Sequence, residues 1–518
     1  MVQSLVVLLA ATFFVYTVVR FAQRRQLVQK YNCEPISVWK TSDWVSYFGL
    51  DVVLHRQQLQ KEGRMNYQLW ERFQKVKSST FKQSTVFRYD IMTTEPENLR
   101  HMQSSAAFSS WSNGSRPKAL YPLLGDGIFS SEGATWKHSR NMLRPFFNKE
   151  HIKHITLMEP FAQDVIKLCE QHGTNGLDLQ EVFQSFTMDF STMFLLGESC
   201  DSLKDALGEG TSNPINKELK RKFPAAFDAA SSVLMVRLIV GELFLWMINP
   251  KPFQDAIKVQ HDFVRYYIDK AIAMDHEELE KKSDDGSCFL YEIVKHTKNP
   301  KILQDEIMSI ILAGRNTTSS LLSFLFLELA REENQHIWNK LKSVVGRCFP
   351  SIESITYESM SECTYLRWCL FETLRFNPSV PLLSRSATRD TVLPRGGGKD
   401  NKSPVLVHKG QRVIYSLFAA NRNPDYFGAD PHLFNPERFA TLPRNGGQAF
   451  MPFGVGLRSC LGQSLALAEA SYLTIRLVNH FDSLEKVGDA QYPPRCTSSG
   501  TQRLMDGCHV RISKLVHD

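Results

Sequence analysis

The stretch Phe453-Gly454-Val455-Gly456-Leu457-Arg458-Ser459-Cys460-Leu461-Gly462 is a glycine-rich loop that ends in a cysteine and runs directly into an apolar helical pattern from Gln463. A thiolate just ahead of a helix start lies among unpaired backbone N–H groups, at the positive end of the helix dipole. This position predicts a lowered pKa for the Cys460 thiol and makes its sulfur a candidate metal ligand. The alternative for a lone cysteine is a buried free thiol in an ordinary turn.

Other residues of the same loop favour a flat partner with an anionic rim. Gly456 and Gly462 fit positions where the backbone turns sharply or presses against a flat surface, because glycine has no Cβ. Arg458, two residues before the sulfur, is placed to reach an anionic group at that rim. Phe453 would shield the sulfur from water.

The spacing F-x-x-G-x-R-x-C-x-G resembles the heme-binding loop of the cytochrome P-450 family, and every fixed position is matched. The resemblance implies that Cys460 is the iron ligand and that the cofactor is heme b, with Phe453, Arg458 and Gly462 contacting it. It also implies the family's fold, a helix-rich triangular prism with a small β-rich region.

Composition describes an ordinary globular protein. Of 518 residues, 43% are hydrophobic and 22% charged, which excludes a disordered chain. A net charge of +7 over this length is too small to indicate a nucleic-acid partner, although it is compatible with an acidic protein or an anionic membrane surface. The ten cysteines form no CxxC pair or regular framework, which predicts reduced thiols and a cytosolic globular part.

The first 25 residues predict a membrane anchor. Residues 4–19 carry no charge, and Arg20, Arg24 and Arg25 follow at once. No positive segment precedes the apolar run, so the positive-inside rule predicts a retained single transmembrane helix with everything downstream in the cytosol. A cleaved signal peptide is the alternative. Residues 26–50 would form a linker and residues 51–518 a single heme-binding catalytic domain.

Helical periodicity dominates from about residue 150 onward, whereas β-like pieces such as residues 84–88 and 412–415 are few. The fold class is therefore predicted as mainly α. Residues 227–250 are apolar but interrupted by charges, which predicts a core helix; an amphipathic stretch at the membrane surface is the alternative.

Trp136 and Arg140 share one face of a predicted helix at positions i and i+4. An indole N–H and a guanidinium both donate to anions, although alone the pair is compatible with a solvated basic face. In the cytochrome P-450 family W-x-x-x-R holds the heme propionates, so the resemblance implies that role for both residues. Arg385 matches the position of another propionate-binding arginine.

The longest helical pattern, residues 303–332, contains Ala313-Gly314-Arg315-Asn316-Thr317-Thr318 in its middle. Glycine, asparagine and paired threonines are poor helix formers, which predicts a local distortion. The stretch resembles the family's oxygen-binding motif A/G-G-x-D/E-T-T/S, and Thr317 matches the threonine whose hydroxyl assists dioxygen activation.

Asn316 departs from that motif, which carries an acid that feeds protons. An amide can hold a water but has no readily transferable proton. Protons could arrive through water and Thr317 or Thr318, the reaction could be less tightly coupled, or the chemistry could differ from plain hydroxylation. Asn316, Thr317 and Thr318 are therefore the candidate catalytic residues.

A charged network is predicted to support the heme loop. Glu372 and Arg375 lie at i and i+3 on one helix face, and Arg438 follows in Phe434-Asn435-Pro436-Glu437-Arg438-Phe439. The family builds a buried network from residues at these positions. Removing one partner would leave a buried charge unpaired, so we expect loss of heme rather than slow catalysis.

The resemblance implies a monooxygenase that inserts one oxygen atom of O2 into a C–H bond of a small lipophilic substrate. Electrons would come from NADPH through cytochrome P-450 reductase at the endoplasmic reticulum membrane, with cytochrome b5 as a second candidate donor, because no flavin or nicotinamide fingerprint is fused to this chain. Phe108, Trp111, Leu382 and Leu383 are candidate pocket residues.

Several pieces resemble the fungal alkane and fatty-acid hydroxylase branch: residues 125–129, 136–145, 393–398 and 416–439. A fungal oxidase of secondary-metabolite biosynthesis fits nearly as well. Asn316 leaves a further class open, namely a heme-thiolate isomerase, dehydratase or ligand sensor.

Overall fold

The computed structural model describes residues 2–39, 58–59, 61–85, 88–147, 155–210, 217–240, 242–283, 288–443 and 446–514. Most of the second half of the predicted linker and the predicted start of the catalytic domain at residue 51 lie outside these ranges. Helices predominate over short strands in the described residues, which confirms the mainly α prediction.

The helices account for most of the chain after the first sheet strands. In chain order they are α1 (Val2–Tyr31), α2 (Met65–Val76), α3 (Pro96–Gln103), α4 (Arg116–Leu124), α5 (Gly133–Leu143), α6 (Glu159–His172), α7 (Leu179–Leu196), α8 (Ser202–Ala206), α9 (Lys217–Val240), α10 (Lys251–Ile272), α11 (His276–Ser283), α12 (Phe289–His296), α13 (Pro300–Leu329), α14 (Gln335–Cys348), α15 (Tyr357–Glu362), α16 (Thr364–Phe376), α17 (Leu417–Ala420), α18 (Pro424–Phe427), α19 (Arg438–Thr441) and α20 (Gln463–His480).

The strands are short and form four small sheets in the described residues. They are β1 (Ser37–Val38), β2 (Thr80–Thr85), β3 (Arg88–Thr93), β4 (Trp111–Ser112), β5 (Leu177–Asp178), β6 (Leu382–Ala387), β7 (Thr391–Gly397), β8 (Ser403–Val407), β9 (Arg412–Ser416), β10 (Ser483–Lys486), β11 (Cys496–Ser499), β12 (Thr501–Leu504) and β13 (His509–Ser513). The largest sheet has the order β1-β2-β3-β9-β6-β4, and the others are β10-β13-β5, β11-β12 and β7-β8. The β-like piece at residues 412–415 is confirmed as β9. Of the piece at residues 84–88, residues 84–85 end β2 and residue 88 begins β3, whereas residues 86–87 lie outside the described ranges.

Helix α13 is the central element of the helical core. It begins at Pro300, whose missing N–H costs nothing at a first helical position, and the Asn299 side chain accepts from the Lys301 N–H at 3.0 Å. At 1.5 Å per residue it is about 45 Å long, and it packs against α7, α10, α16 and α20. Because α20 follows the cysteine loop directly and packs against α13, the pair of helices α13 and α20 connects that loop to the polar stretch of α13.

The predicted distortion of α13 is not seen. The helix stays α-helical through residues 313–318, and the Thr317 hydroxyl donates to the Ala313 carbonyl at 2.7 Å. The side chain therefore bonds to the backbone ladder without interrupting it, because packing on several sides outweighs the weak helix propensity of these residues.

Among the described residues α13 is the helix that meets the length and hydropathy of a membrane span, and 67% of its apolar window is buried inside the protein. Such burial is typical of a core helix. Helix α9 is also a core helix, with Phe223, Phe227 and Leu234 buried, which agrees with the first prediction for residues 227–250. The turn of 3₁₀ helix that follows, Glu242–Met247, instead exposes Trp246.

Helix α1 runs unbroken through residue 25 and into the predicted linker. Its C-terminal half is attached to the globular part, because Arg20 and Arg24 both pair with Asp390, at 3.1 and 3.2 Å. Asp390 follows β6 and also accepts from the Lys409 N–H at 2.6 Å. Among the side chains that the structure describes before this contact, Phe14, Val15, Val18 and Val19 are apolar and exposed to solvent.

Candidate functional site

The cysteine loop closes on itself through backbone hydrogen bonds. The Cys460 N–H donates to the Phe453 carbonyl at 2.9 Å, and the Ser459 N–H donates to the Gly456 carbonyl at 3.1 Å across the single 3₁₀ turn Gly456–Arg458. These bonds hold the sulfur at a defined position just before α20. Phe453 lines a cavity of about 330 Å³ behind the loop, which α15, α16 and α20 complete.

Glycine is required at one of the two predicted positions. Gly456 has φ +66°, and a Cβ there would lie 2.2 Å from the Gln103 carbonyl oxygen. Gly462 has φ −84°, and a Cβ there would make an ordinary contact of 3.8 Å with the Phe147 ring. The sharp turn predicted at Gly462 is therefore not seen, and contact with a flat partner remains the prediction for that residue.

The prediction of a lowered pKa for the Cys460 thiol is wrong for the protein alone. Cys460 is exposed as a residue, but protein atoms surround its thiol, and this desolvation raises the pKa of the thiol. The Gly462 N–H and the Arg140 charge oppose the rise without cancelling it. A bound cation would supply the missing favourable charge, because a metal deprotonates a coordinating thiol.

The described residues contain no group of three or more His, Cys, Asp or Glu side chains arranged to hold a metal ion. Cys460 would therefore act as the one protein ligand near this loop, with the other ligands supplied by a cofactor. A metal in a macrocycle fits this arrangement.

Helix α5 presents Trp136 and Arg140 to the cysteine loop from one face, as predicted. Arg140 donates from Nη1 to the Ser459 carbonyl at 3.0 Å and from Nη2 to the Ser459 hydroxyl at 3.3 Å. Arg458 lies over the buried Trp136 ring, with 4.1 Å from its guanidinium carbon to the ring centroid. The helix and the loop thus form one surface.

Arg385 joins this surface from β6. It is 8% exposed and donates to the Gln103 side chain at 3.1 Å and to the Ser384 carbonyl at 2.7 Å. Burial and, to a smaller extent, the positive charges of Arg116 and Arg458 lower the pKa of Arg385 to about 9, against the opposing charge of Glu132. Burial likewise lowers the pKa of Arg458 to about 10.

Arg116, Arg140, Arg385 and Arg458 constitute what we call the arginine cluster. None of the four forms an ion pair with a carboxylate among the residues that the structure describes. Glu132 is the acidic group that acts on two of them, so the cluster keeps a positive excess. Partly buried cations without counter-charges are unfavourable, and two carboxylates would relieve them. The two propionates of heme fit this requirement, so the residues present fit the cofactor that the sequence predicts.

Arg116 is a site residue that the sequence analysis missed. It lies at the start of α4, and burial lowers its pKa as well. The local signal was a helix start with a following proline, Arg116-Pro117, which carries no information about a distant anion site. Its membership in the cluster depends on the approach of β6 and the cysteine loop.

The predicted charged network is present and buried. Glu372 accepts from Arg375 Nε and Nη2, both at 2.7 Å, and Arg438 Nε lies 3.5 Å from the same carboxylate. The Asn435 N–H also donates to Glu372 at 2.9 Å, and Arg375 donates to the Pro431 carbonyl at 2.8 Å. The network therefore connects α16 to the segment that leads toward the cysteine loop.

The three candidate catalytic residues have three different surroundings. Thr317 is half-buried, and its hydroxyl keeps two lone pairs while donating to Ala313. Thr318 is 1% exposed and lies beside Glu469 of α20, whose pKa burial raises well above its ordinary value. Asn316 accepts from Arg315 Nη1 at 3.0 Å. The polar stretch thus distributes its side chains in different directions.

The apolar candidates come from neighbouring elements. Phe108 lies at the arginine cluster, 5.2 Å from the Trp136 ring and 5.8 Å from the Arg458 guanidinium. Trp111 in β4 pairs with β6, the strand that carries Leu382 and Leu383, and those two leucines are half-buried. These strands bring apolar side chains to the same edge that carries Arg385.

Known proteins are similar to this chain over most of its length. The family model described as Cytochrome P450 matches residues 48–502. Cytochrome P450 52C2 of Candida maltosa is 47% identical over 98% of this chain and 99% of its own length. Cytochrome P450 52C1 of Candida tropicalis is 44% identical over 97% of this chain and 98% of its own, and Cytochrome P450 52A4 of Candida maltosa is 43% identical over 82% and 78%.

Proposed function

Because the chain belongs to the cytochrome P450 family, whose members are monooxygenases that bind heme b, we propose that it hydroxylates an alkane or a fatty acid near one chain end. The observation that carries the heme site is the arginine cluster without counter-charges beside Cys460. The choice of an elongated lipophilic substrate is supported by the likeness of several segments to the alkane and fatty-acid hydroxylase branch.

The residues of the chain have distinct tasks in this reaction. Cys460 would ligate the iron, and the arginine cluster with Trp136 would bind the propionates. When bound, the heme supplies dioxygen activation and oxygen insertion into the C–H bond. Thr317 keeps acceptor lone pairs on its hydroxyl and can take a hydrogen bond from a water, which Asn316 helps to orient.

We also propose the partners and the location that the sequence predicts. NADPH-cytochrome P-450 reductase would deliver the electrons, with cytochrome b5 as the second candidate. Residues 1–25 would cross the endoplasmic reticulum membrane once and leave the catalytic domain in the cytosol. The exposed apolar side chains of α1 and the basic residues after them support this arrangement.

A binding-spectrum screen of purified holoprotein tests the substrate. Alkanes, fatty acids and small polyketides are titrated while the Soret band reports displacement of water from the iron. We expect saturable shifts with chains of defined length among alkanes or fatty acids. Shifts with polyketides alone would replace this proposal by a secondary-metabolite oxidase.

NADPH consumption with purified reductase tests the reaction class separately. We expect substrate-dependent consumption with formation of a hydroxylated product. Substrate turnover without NADPH would indicate an isomerase or dehydratase. Omitting the reductase is the control, and adding cytochrome b5 together with the reductase tests whether cytochrome b5 can pass on electrons as the second donor.

A further inference from the structure

Arg315 of α13 is a buried cation held between side chains of two helices. It is 5% exposed, and both of its terminal nitrogens contact the carboxylate of Asp228 on α9, Nη2 at 3.1 Å from Oδ2. Its Nη1 also donates to Asn316 Oδ1 at 3.0 Å. Asp228, Arg315 and Asn316 therefore form a continuous chain of contacts from α9 to the polar stretch of α13.

This chain of contacts determines the orientation of the Asn316 amide. A guanidinium has donors and no acceptor, so the Asn316 atom that faces Arg315 is the carbonyl oxygen. The Nδ2 group is then turned away from Arg315, and no described acceptor engages it. Asn316 thus has two N–H donors left for water, whereas an acid at this position would offer an acceptor.

The same chain of contacts also determines where the counter-charge of Arg315 lies. Among the described residues, the carboxylate paired with Arg315 is that of Asp228, whose side chain is 44% exposed. A carboxylate at residue 316 would sit beside Arg315 on the same helix. In this protein the negative charge instead comes from α9, at the solvent end of the chain of contacts.

We propose that Asp228 is a positioning residue for oxygen activation: it holds Arg315, and Arg315 fixes the Asn316 amide as a hydrogen-bond donor to water beside Thr317. Protons then pass from solvent through that water and the Thr317 hydroxyl, and neither Arg315 nor Asn316 gives up a proton. This inference rests on the proposed monooxygenase reaction.

The test moves the carboxylate from one helix to the other. Asp228→Asn removes the charge with little change in shape, Asn316→Asp adds a carboxylate next to Arg315, and the double variant carries both changes. Asp255→Asn on α10 is the matched control, because Asp255 forms an exposed ion pair with Lys251.

Two quantities are measured at equal heme content. The first is hydrogen peroxide released per NADPH, and the second is the ferric low-spin electron paramagnetic resonance spectrum, which reports hydrogen bonding to the water on the iron without turnover. We expect Asp228→Asn to raise peroxide release several-fold and to change the spectrum. The double variant should keep a changed spectrum, because a carboxylate at residue 316 accepts hydrogen bonds and lacks the N–H donors of the amide. Asp255→Asn should change neither quantity.

Wild-type peroxide release and an unchanged spectrum in Asp228→Asn would overturn the proposal, even if that variant is less stable. If Asp228→Asn yields no holoprotein, the double variant decides: a changed spectrum supports the proposal, and a wild-type spectrum or failure to form holoprotein overturns it. Absence of NADPH consumption in the wild type would count against the proposed reaction alone, since the spectrum is read without turnover.

Discussion

The guanidinium carbon of Arg458 lies 4.1 Å from the centroid of the Trp136 ring, so a residue two positions before Cys460 stacks on a residue of α5. This contact joins the cysteine loop to the helix that carries Arg140. Both arginines lack a carboxylate partner among the described residues. The stacking therefore keeps a positive charge in place for an anionic cofactor group.

Arg116→Gln should make the apoprotein more stable and should make the holoprotein lose heme faster. Removing one charge relieves repulsion with Arg385 and Arg458, so the apoprotein should unfold at a higher temperature. Heme should dissociate about tenfold faster, because a charge-assisted hydrogen bond is worth about 1.5 kcal/mol or more. Melting of the apoprotein and heme transfer to apomyoglobin measure the two effects. Lys118→Gln, an exposed change on the same helix, should produce neither, and slower heme loss in Arg116→Gln would contradict the assignment.

Glu372→Gln should give protein without heme. The substitution leaves the fully buried Arg375 without its carboxylate, which costs about 3–5 kcal/mol of folding free energy. Heme absorbance per protein and denaturant unfolding measure the loss. Glu437→Gln removes an exposed partner of Lys340 in the same region and should retain heme. A Glu372→Gln protein with full heme content and slow turnover would show that the network acts in catalysis instead.

Gly456→Ala and Gly462→Ala should separate folding of the loop from cofactor contact. Alanine at 456 must adopt φ +66° beside the Gln103 carbonyl, so we expect loss of about 1–2 kcal/mol from the backbone conformation alone, together with a steric clash. Alanine at 462 is tolerated by the protein, so it should weaken heme binding while the apoprotein keeps its stability. Melting of the apoprotein measures the stability of each variant, and heme titration measures its heme binding. An equal loss of apoprotein stability in both variants would show that the two glycines do not have separate roles.

Glu306 predicts a pH dependence of stability. Burial raises its pKa to about 7, against hydrogen bonds from Ser139 and the Ile128 N–H. The folded protein therefore binds more protons than the unfolded chain between the ordinary glutamate pKa and about 7, so this residue lowers stability as pH rises through that range.

Glu306→Gln mimics the protonated form and should flatten that pH dependence. The variant should be more stable than wild type at pH 8, by roughly 3 kcal/mol at most, and should therefore melt at a higher temperature. At pH 5 it should melt close to wild type. Thermal midpoints of the holoprotein at both values measure this, and the difference from wild type isolates Glu306 from other buried acids. A variant that is less stable at pH 8 would show that the ionised carboxylate is favoured.

Asp390→Asn should release the C-terminal half of α1 from the globular part. The Asp390 carboxylate pairs with Arg20 and Arg24, so its loss should expose these arginines to trypsin. We expect faster cleavage in α1 with unchanged heme content, followed by mass spectrometry of timed digests. Asp400→Asn, an exposed change in the loop between β7 and β8, is the control. Equal digestion of both variants would mean that α1 is held by other contacts.

The sequence correctly predicted those parts of the site that are encoded by residues a short distance apart in the chain. The cysteine loop, the pair Trp136 and Arg140 and the pair Glu372 and Arg375 are each encoded within ten residues, and their geometry follows from the turn or helix that contains them. Two local predictions failed for one reason, which is burial. Desolvation raises the Cys460 pKa beyond the effect of the helix start, and packing keeps α13 regular despite its polar stretch.

By itself the sequence determined the mainly α class, the cysteine loop and the departure at Asn316, because each is readable from neighbouring residues. Only the tertiary structure decided which charges meet. Arg116 approaches Arg385 from 269 positions away, and Asp228 reaches Arg315 from 87. Such contacts depend on how helices and strands pack, and their strength depends on burial, neither of which local spacing specifies.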